Sequence, residues 1–520
     1  MLKPLSLAAS LSFLSITSSF AENTTSEKIT FLVHKFSVDG EEVKSILSEE
    51  KIAVYLKPFE EKSYDLKGLQ EVSKNLEAMI RNEGYAFYRV VLPAQSLNLG
   101  EVKLNVIAFN LENITVEGNE SFSIDNVLTS LPTLKEGKSP NTQTLVFESK
   151  VANKHPSKQI AVTFKQSEIE DKIDANIKVI EQPRPYQFSL DLNNIGSNNS
   201  GEYRLIGGIQ YSNFWDLDHV VNVSYTLPPD RIDAMKQYGG TYSFPVYKLG
   251  GWINAYYAYS NSNNGVVATD LTITGAGEMM GIHYQQFLPR FAKYEHNLDI
   301  GFDSKHFLND IQFKKVQWGT NVRSLPFSIS YKAEYPFDDV KTGYFVQWAV
   351  NTGWGSENDD LLYQKSRAGA DSSWQLFRYG ANFMTAYEQW FFTTILSGQH
   401  SAKPLISGEQ IGIGGSFDVR GYEQRETSAD SGQIVKIELT SPSLWTNTNA
   451  FIFYDYGHAT KQNRQAGELG AWNLSGMGIG AKFSWQEHLN ASLTFATALN
   501  NANTTQAFNN RLLLNVHLSY

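Results

Sequence analysis

Val221-Asn222-Val223-Ser224-Tyr225-Thr226-Leu227 alternates apolar and polar side chains without a break. An extended chain sends successive side chains to opposite faces, so this stretch is a ribbon with Val221, Val223, Tyr225 and Leu227 on one side and Asn222, Ser224 and Thr226 on the other. From Pro185 onward the pattern returns about every ten residues, with polar or glycine-rich breaks between the runs. Phe188, Leu190 and Leu192 alternate with Ser189, Asp191 and Asn193, and Leu298, Ile300 and Phe302 with Asn297, Asp299 and Asp303. Phe327, Ile329 and Tyr331 alternate with Ser328, Ser330 and Lys332, and Val435, Ile437 and Leu439 with Lys436 and Glu438. Two architectures use such ribbons: a soluble sandwich that hides its apolar faces in a core, and a membrane barrel that turns them toward lipid.

The two ends of the chain favour the barrel. Residues 1–21 have the make-up of an export signal, with Lys3, an apolar stretch from Leu5 to Ile16, and the small-residue site Ser19-Phe20-Ala21. The mature chain is expected to begin near Glu22. Beyond that segment no run of about 18 apolar residues occurs, so any membrane span must be a closed barrel, the other structure that satisfies every backbone group without water. Aromatic residues form 13% of the chain, enough to furnish interfacial girdles. At the other end Leu512, Leu514, Val516, Leu518 and Tyr520 share one face of a ribbon that stops on an aromatic.

Composition removes several function classes. With no cysteine there is neither a disulfide scaffold nor a thiol nucleophile, and a net charge of -10 without a basic run argues against a nucleic-acid partner. No catalytic residue, metal site or cofactor is expected. Gly275-Ala276-Gly277 with Gly281 misses the dinucleotide spacing by one residue and has no helix after it. Neither a nucleophile elbow nor a zinc-protease motif occurs, and His458 near Asp455 lacks a nucleophile.

Before Pro185 the chain mixes helix and strand signals. Leu69, Val72, Leu76, Met79 and Ile80 line one helical face that Gly84 terminates, between strands expected at Phe31 to Val38, Tyr85 to Leu92 and Val102 to Phe109. A second unit opens at Ile114-Thr115-Val116-Glu117-Gly118-Asn119, carries a helix around Asn141 to Ala152, and closes with strands at Ile160 to Phe164 and Ala175 to Ile180. Glu181-Gln182-Pro183-Arg184-Pro185 then breaks the strand pattern. The expected organisation is a signal peptide at 1–21, small α+β domains at 22–110 and 111–184, and an all-β membrane barrel at 185–520.

Both small units resemble POTRA domains, with Gly84-Tyr85 matching their glycine-aromatic step. Gly414-Gly415-Ser416-Phe417-Asp418-Val419-Arg420-Gly421-Tyr422, followed by Phe453-Tyr454-Asp455-Tyr456-Gly457, resembles the paired motifs of the two-partner secretion transporters, the TpsB or ShlB/FhaC/HecB haemolysin-secretion family. Arginine entering a lumen loses hydration and needs a bidentate carboxylate, and alternation puts Phe453 and Asp455 on the lumen face. The resemblance implies about sixteen antiparallel strands and a loop at 403–432 folded into the lumen. It makes Val419, Arg420, Gly421 and Tyr422 the loop-lock motif, Phe453, Asp455 and Gly457 the barrel-wall motif, and Tyr520 the assembly signal.

By the same resemblance the protein is a monomeric outer-membrane pore secreting a TpsA-type partner. The POTRA pair lies in the periplasm and recognises the unfolded cargo, and outer-membrane lipid and the barrel assembly machinery are the other partners. Asn193-Asn194-Ile195-Gly196, Ser200-Gly201-Glu202-Tyr203-Arg204 and Asn213-Phe214-Trp215-Asp216 are similar to the family's first hairpin and the turn after it. Several family members carry a plug helix; Glu22 to Lys28 is too short for one with its linker, so closure by the folded loop alone is expected. The alternative is an assembly factor of the BamA or TamA type, whose members carry more POTRA units.

Overall fold

The computed structural model describes residues 30–520 except 98, 183, 198–199, 262–264, 269–270, 274–275, 309–311, 314–315, 318–319, 338–339 and 487. The expected export signal and the segment from Glu22 to Lys28 lie outside the described residues.

From Tyr186 the chain closes an antiparallel barrel. Its strands are β1 (Tyr186–Asn193), β2 (Arg204–Phe214), β3 (His219–Leu227), β4 (Gln237–Val246), β5 (Gly251–Ser260), β6 (Gly277–Phe287) and β7 (Glu295–Phe307). Next come β8 (Val322–Ser324 and Pro326–Pro336), β9 (Val340–Asn351), β10 (Gln375–Tyr387), β11 (Trp390–His400) and β12 (Ser431–Trp445). The last four are β13 (Thr448–Thr460), β14 (Ala471–Trp485), β15 (Leu489–Ala498) and β16 (Asn510–Ser519). Both segments of β8 pair in succession along β7, so the barrel has sixteen strands. It closes between β16 and β1, where Asn515 to Ser519 pair with Asn193 to Ser189. Tyr520 and Phe188 extend that seam, exchanging backbone hydrogen bonds at 2.9 Å.

Burial decides between barrel and sandwich. On β3 the apolar residues Val223 and Tyr225 are exposed while Ser224 and Thr226 are buried, the reverse of a soluble strand. Phe188, Leu190, Ile300, Ile329, Ile437, Leu512 and Leu518 are likewise exposed, giving an apolar outer wall. Near the turn between β6 and β7 that wall carries a tyrosine cluster, with the Tyr294 hydroxyl bonded to those of Tyr331 and Tyr344. Rings with a polar tip suit the level where hydrocarbon meets headgroup. Among the described residues no helix is long and apolar enough to cross a membrane.

Among the described residues, those up to Phe109 form one compact unit. Helix Leu66–Asn82 buries Leu69, Val72, Leu76 and Ile80 against a sheet ordered Lys35–Asp39, Glu101–Ala108, Tyr88–Val91. The strand expected from Phe31 to Val38 is two strands. Phe31–Val33 pairs with Lys62–Tyr64, whereas Lys35–Asp39 pairs with Glu101–Asn105. The change of partner falls at His34, whose N–H turns to the Gly100 carbonyl. Short helices at Glu41–Ile46 and Glu49–Leu56 escaped the sequence reading.

The second compact unit holds a second α+β domain together with the barrel. Its sheet is ordered Asn110–Glu117, Lys172–Glu181, Lys158–Gln166, covered by helix Thr142–Ala152, whose cap Asn141 accepts from Thr144 N–H. This domain sits on the barrel end that carries the turns after β2 and β4. Lys158 and Asp218 are both fully buried there, with Nζ 2.6 and 2.8 Å from the carboxylate oxygens. Asn126 and the Tyr247 hydroxyl complete the shell of Asp218, and Phe147, Val151, Val220, Trp252 and Phe287 form an apolar seam beside it.

Candidate functional site

The connection between β11 and β12, residues 401–430, does not run out into solvent. A short hairpin, Ile411–Ile413 with Thr427–Ala429, carries its tip down the lumen to the wall formed by β12 to β15. The motif singled out in the sequence lies at that tip. Val419 and Tyr422 are buried with Ile413, Ala429, Ile434, Trp472 and Leu474.

Arg420 donates from Nε to Asp455 Oδ2 at 2.6 Å, from Nη2 to Oδ1 at 2.9 Å, and from its backbone N–H to Oδ2 at 3.2 Å. Its remaining terminal nitrogen, Nη1, donates to Glu438 Oε2 at 2.9 Å. The Phe453 ring lies 3.5 Å from the guanidinium carbon, so a π-face covers the plane of the fork. Asp455 is 0% exposed and Arg420 7%. One cation against two carboxylates in a desolvated pocket is held by geometry as much as by charge, since only a planar fork reaches both partners at once. Lys482 neutralises the second carboxylate by pairing with Glu438 from β14.

Small residues admit the loop. A Cβ on Gly476 of β14 would stand 1.9 Å from the Arg420 carbonyl oxygen, and one on Gly457 would meet Val419 Cγ2 at 2.9 Å and Ile413 Cγ2 at 2.5 Å. Gly421 has φ +102° and lies against the backbone of Thr497 and Ala498, so it supplies both the turn and the close approach. The Tyr422 hydroxyl lies 3.0 Å from the carbonyls of Ser475 and Asn500 and accepts from both their N–H groups. Glu426 is fixed by the N–H and hydroxyl groups of Thr504 and Thr505. Nearer the start of the loop, Glu409 binds Lys305 of β7, Ser324 of β8 and Arg378 of β10. In a sixteen-stranded barrel, strands eight apart are diametrically opposed, and β7 and β16, nine apart one way round and seven the other, stand nearly opposite. A loop tied to β7 by Glu409 and to β16 by Glu423 with Arg511 therefore crosses the lumen.

All three wall residues, Phe453, Asp455 and Gly457, face this contact from one side of β13, while Tyr454 is exposed on the other and His458 bonds to Asn473. Glu438, Gly476 and Glu409 were not singled out from the sequence. A signal for Glu438 existed, because it falls on the polar face of β12, but its pairing opposite Phe453 depends on register. Gly476-Met477-Gly478-Ile479-Gly480 likewise marks a face that backbone or rings approach closely. Tyr520 lies at the closing seam, its ring 5.1 Å from the Arg184 guanidinium carbon.

Both small domains carry side-chain clips on their sheet edges. Val90 N–H donates to Glu77 and its carbonyl accepts from Ser73, while Ile160 is held through both backbone groups by Asn153. Such clips shorten the edge offered to another strand. Between the second domain and the barrel wall lies a cavity of about 760 Å³ lined by Lys150, Lys154, Asn254, Lys332, Glu334 and Asn382.

An α+β periplasmic-type domain pair, a sixteen-stranded barrel with an apolar exterior and a loop bolted through its lumen define an outer-membrane transport barrel. Residues 171–483 match the family model of the haemolysin secretion/activation protein ShlB/FhaC/HecB, and residues 31–108 match the POTRA domain, ShlB-type. The first match spans more than half of the chain, and the chain belongs to that family. It is 22% identical over 474 residues to the heme/hemopexin transporter protein HuxB of Haemophilus influenzae, covering 84% of this chain and 78% of that one. The solved CdiB from Escherichia coli superposes with a TM-score of 0.73 at 18% identity, over 97% of this chain and 93% of that one. A BamA from Haemophilus ducreyi lacking POTRA domains 1-3 gives 0.52 at 13% identity, over 94% and 100% of the two chains, a likeness of fold alone. This protein is accordingly an outer-membrane two-partner secretion pore, with its POTRA domains in the periplasm.

Proposed function

We propose that the pore exports a TpsA-type partner which the POTRA pair, domains 22–110 and 111–184, receives unfolded, and that Arg420 and Asp455 lock the loop in the lumen of the barrel at 185–520 between export events. The observation that carries this reading is the bidentate Arg420–Asp455 pair, buried inside the lumen and shared with Glu438. A loop fastened by hydrogen bonds and charge, and not by covalent links, can be withdrawn and returned. The cavity beside Lys150 and Lys332 gives an extended chain a polar entry under the second domain. Cargo folding outside supplies the direction, and the protein works as a monomer without enzymatic chemistry. Tyr520, closing the last strand, is the residue the assembly machinery reads. The test is co-expression of Arg420→Ala with the cognate TpsA-type partner. Partner retained in the periplasm while the barrel stays heat-modifiable supports the lock; partner in the medium at wild-type level refutes it.

A further inference from the structure

The loop at 401–430 ends on a buried carboxylate. Asp430, immediately before β12, is 0% exposed, and both of its oxygens are fully engaged. Oδ1 accepts from Leu405 N–H at 2.8 Å and from Gln410 Nε2 at 3.3 Å, and Oδ2 accepts from Gln462 N–H at 2.7 Å. Arg367 grips the carboxylate with both terminal nitrogens, Nη2 reaching Oδ2 at 2.7 Å and Nη1 reaching Oδ1. The same guanidinium donates to the carbonyls of Leu405 at 2.5 Å and Gln462 at 3.0 Å.

These residues belong to three connections. Arg367 lies between β9 and β10, Leu405 and Gln410 between β11 and β12, and Gln462 between β13 and β14. All three connections lie at the end of the barrel opposite the turns that hold the second domain, which is the outward mouth. Under the ion pair the first two pack together through Phe307, Val322, Tyr363, Trp374, Leu405 and Ile406, with Tyr363 and Trp374 wholly buried. One carboxylate therefore joins three loops over an apolar cap.

We propose that Arg367 and Asp430 are the latch of the outward mouth, positioning residues that hold this cap shut independently of the Arg420 lock and part when cargo emerges. The inference rests on the secretion-pore reading. Charge suits a latch because both groups regain hydration when the loops separate, which lowers the cost of opening relative to a cap of apolar contacts alone. The pair still biases the closed state, since removing one partner strands the other in a dry site.

The experiment compares wild type, Arg367→Ala, Arg367→Lys and Asp430→Asn, each as the full chain in planar bilayers and in cells, without cargo. Arg367→Ala should raise the time-averaged current about tenfold, the effect of shifting a two-state gate by one decade, and should sensitise cells to a large antibiotic that the outer membrane normally excludes. Arg367→Lys, which keeps the charge and loses the fork, should leak to an intermediate degree, and Asp430→Asn, which keeps the shape and loses the charge, should leak as well. If Arg367→Ala does not assemble, Arg367→Lys and Asp430→Asn carry the test. Wild-type current in the assembled variants would overturn the latch. Partner secretion, assayed in parallel cells that also express the partner, reports on the pore reading separately, because current without cargo does not depend on it.

Discussion

Arg420 shows how much depends on a single planar cation. Its fork serves Asp455 and Glu438 together and its face lies on Phe453. Removing it leaves two carboxylates in the lumen wall, one of them wholly buried, a loss of roughly 3–5 kcal/mol for a buried pair broken on one side. Arg420→Lys should recover only part of this, because an ammonium cannot make the bidentate contact. Loop mobility measured by a spin label at Ser416 should rise in the order wild type, Lys, Ala; equal mobility in all three would remove the lock. The wall side makes an independent prediction. A Cβ at position 476 would overlap the Arg420 carbonyl, so Gly476→Val should release the loop with every charged partner intact. Proteolysis within 401–430 on intact cells should then increase, and a loop as resistant as wild type would show that close approach is dispensable.

At the scale of elements, the joint between the second POTRA-type domain and the barrel is a buried polar network on a turn. The ring of His155 is held between the Ser212 carbonyl, to which Nε2–H donates, and the Ser157 N–H, from which Nδ1 accepts, so the neutral tautomer fits. Burial holds its pKa below the usual histidine value, with Asp218 opposing that shift. A histidine neutral when folded contributes fully above its unfolded value of about 6.5 and loses that contribution as pH falls through the folded value. The joint should therefore loosen on acidification. Hydrogen-exchange protection at residues 153–160, corrected for the intrinsic pH dependence of amide exchange, should fall as pH drops below about 6.5, and His155→Gln should flatten that dependence. Glu148, which burial raises, works in the opposite sense, so the difference between wild type and His155→Gln is the quantity to read. Lys158→Met should cost the joint roughly 3–5 kcal/mol by stranding Asp218, visible as earlier thermal release of the domain. An unchanged transition would place the joint's strength in the apolar seam around Trp252.

For the whole molecule, the edge clips at Val90 and Ile160 leave short stretches of strand for an incoming chain, which favours modest affinity. The full-length protein in nanodiscs should bind the N-terminal secretion domain of its partner with a Kd near micromolar, about -8 kcal/mol, weak enough for release. Nanomolar binding would contradict a transporter that lets go, and no binding at high concentration would leave the POTRA pair a spacer.

Much of this protein was determined by local sequence. Alternation along β3 and β16 required strands with one apolar face, the lack of an apolar helix left a barrel as the membrane solution, and Arg420 with Asp455 stood out because their motifs resemble, in the same order, the paired motifs of the secretion family. The helix at Leu66–Asn82 was equally legible from its apolar face. Other features depended on which strand meets which, and in what register. Glu438 joins Arg420 only because β12 pairs with β13 so that Glu438 lies opposite Phe453. Glu409, Arg367 and Asp430 are unremarkable charges in two loops until the barrel closes and brings those loops over one mouth. Side-chain period is a property of a few neighbouring residues and can be read from them. Loop-to-loop and loop-to-wall contacts span long stretches of chain, and closure alone determines them.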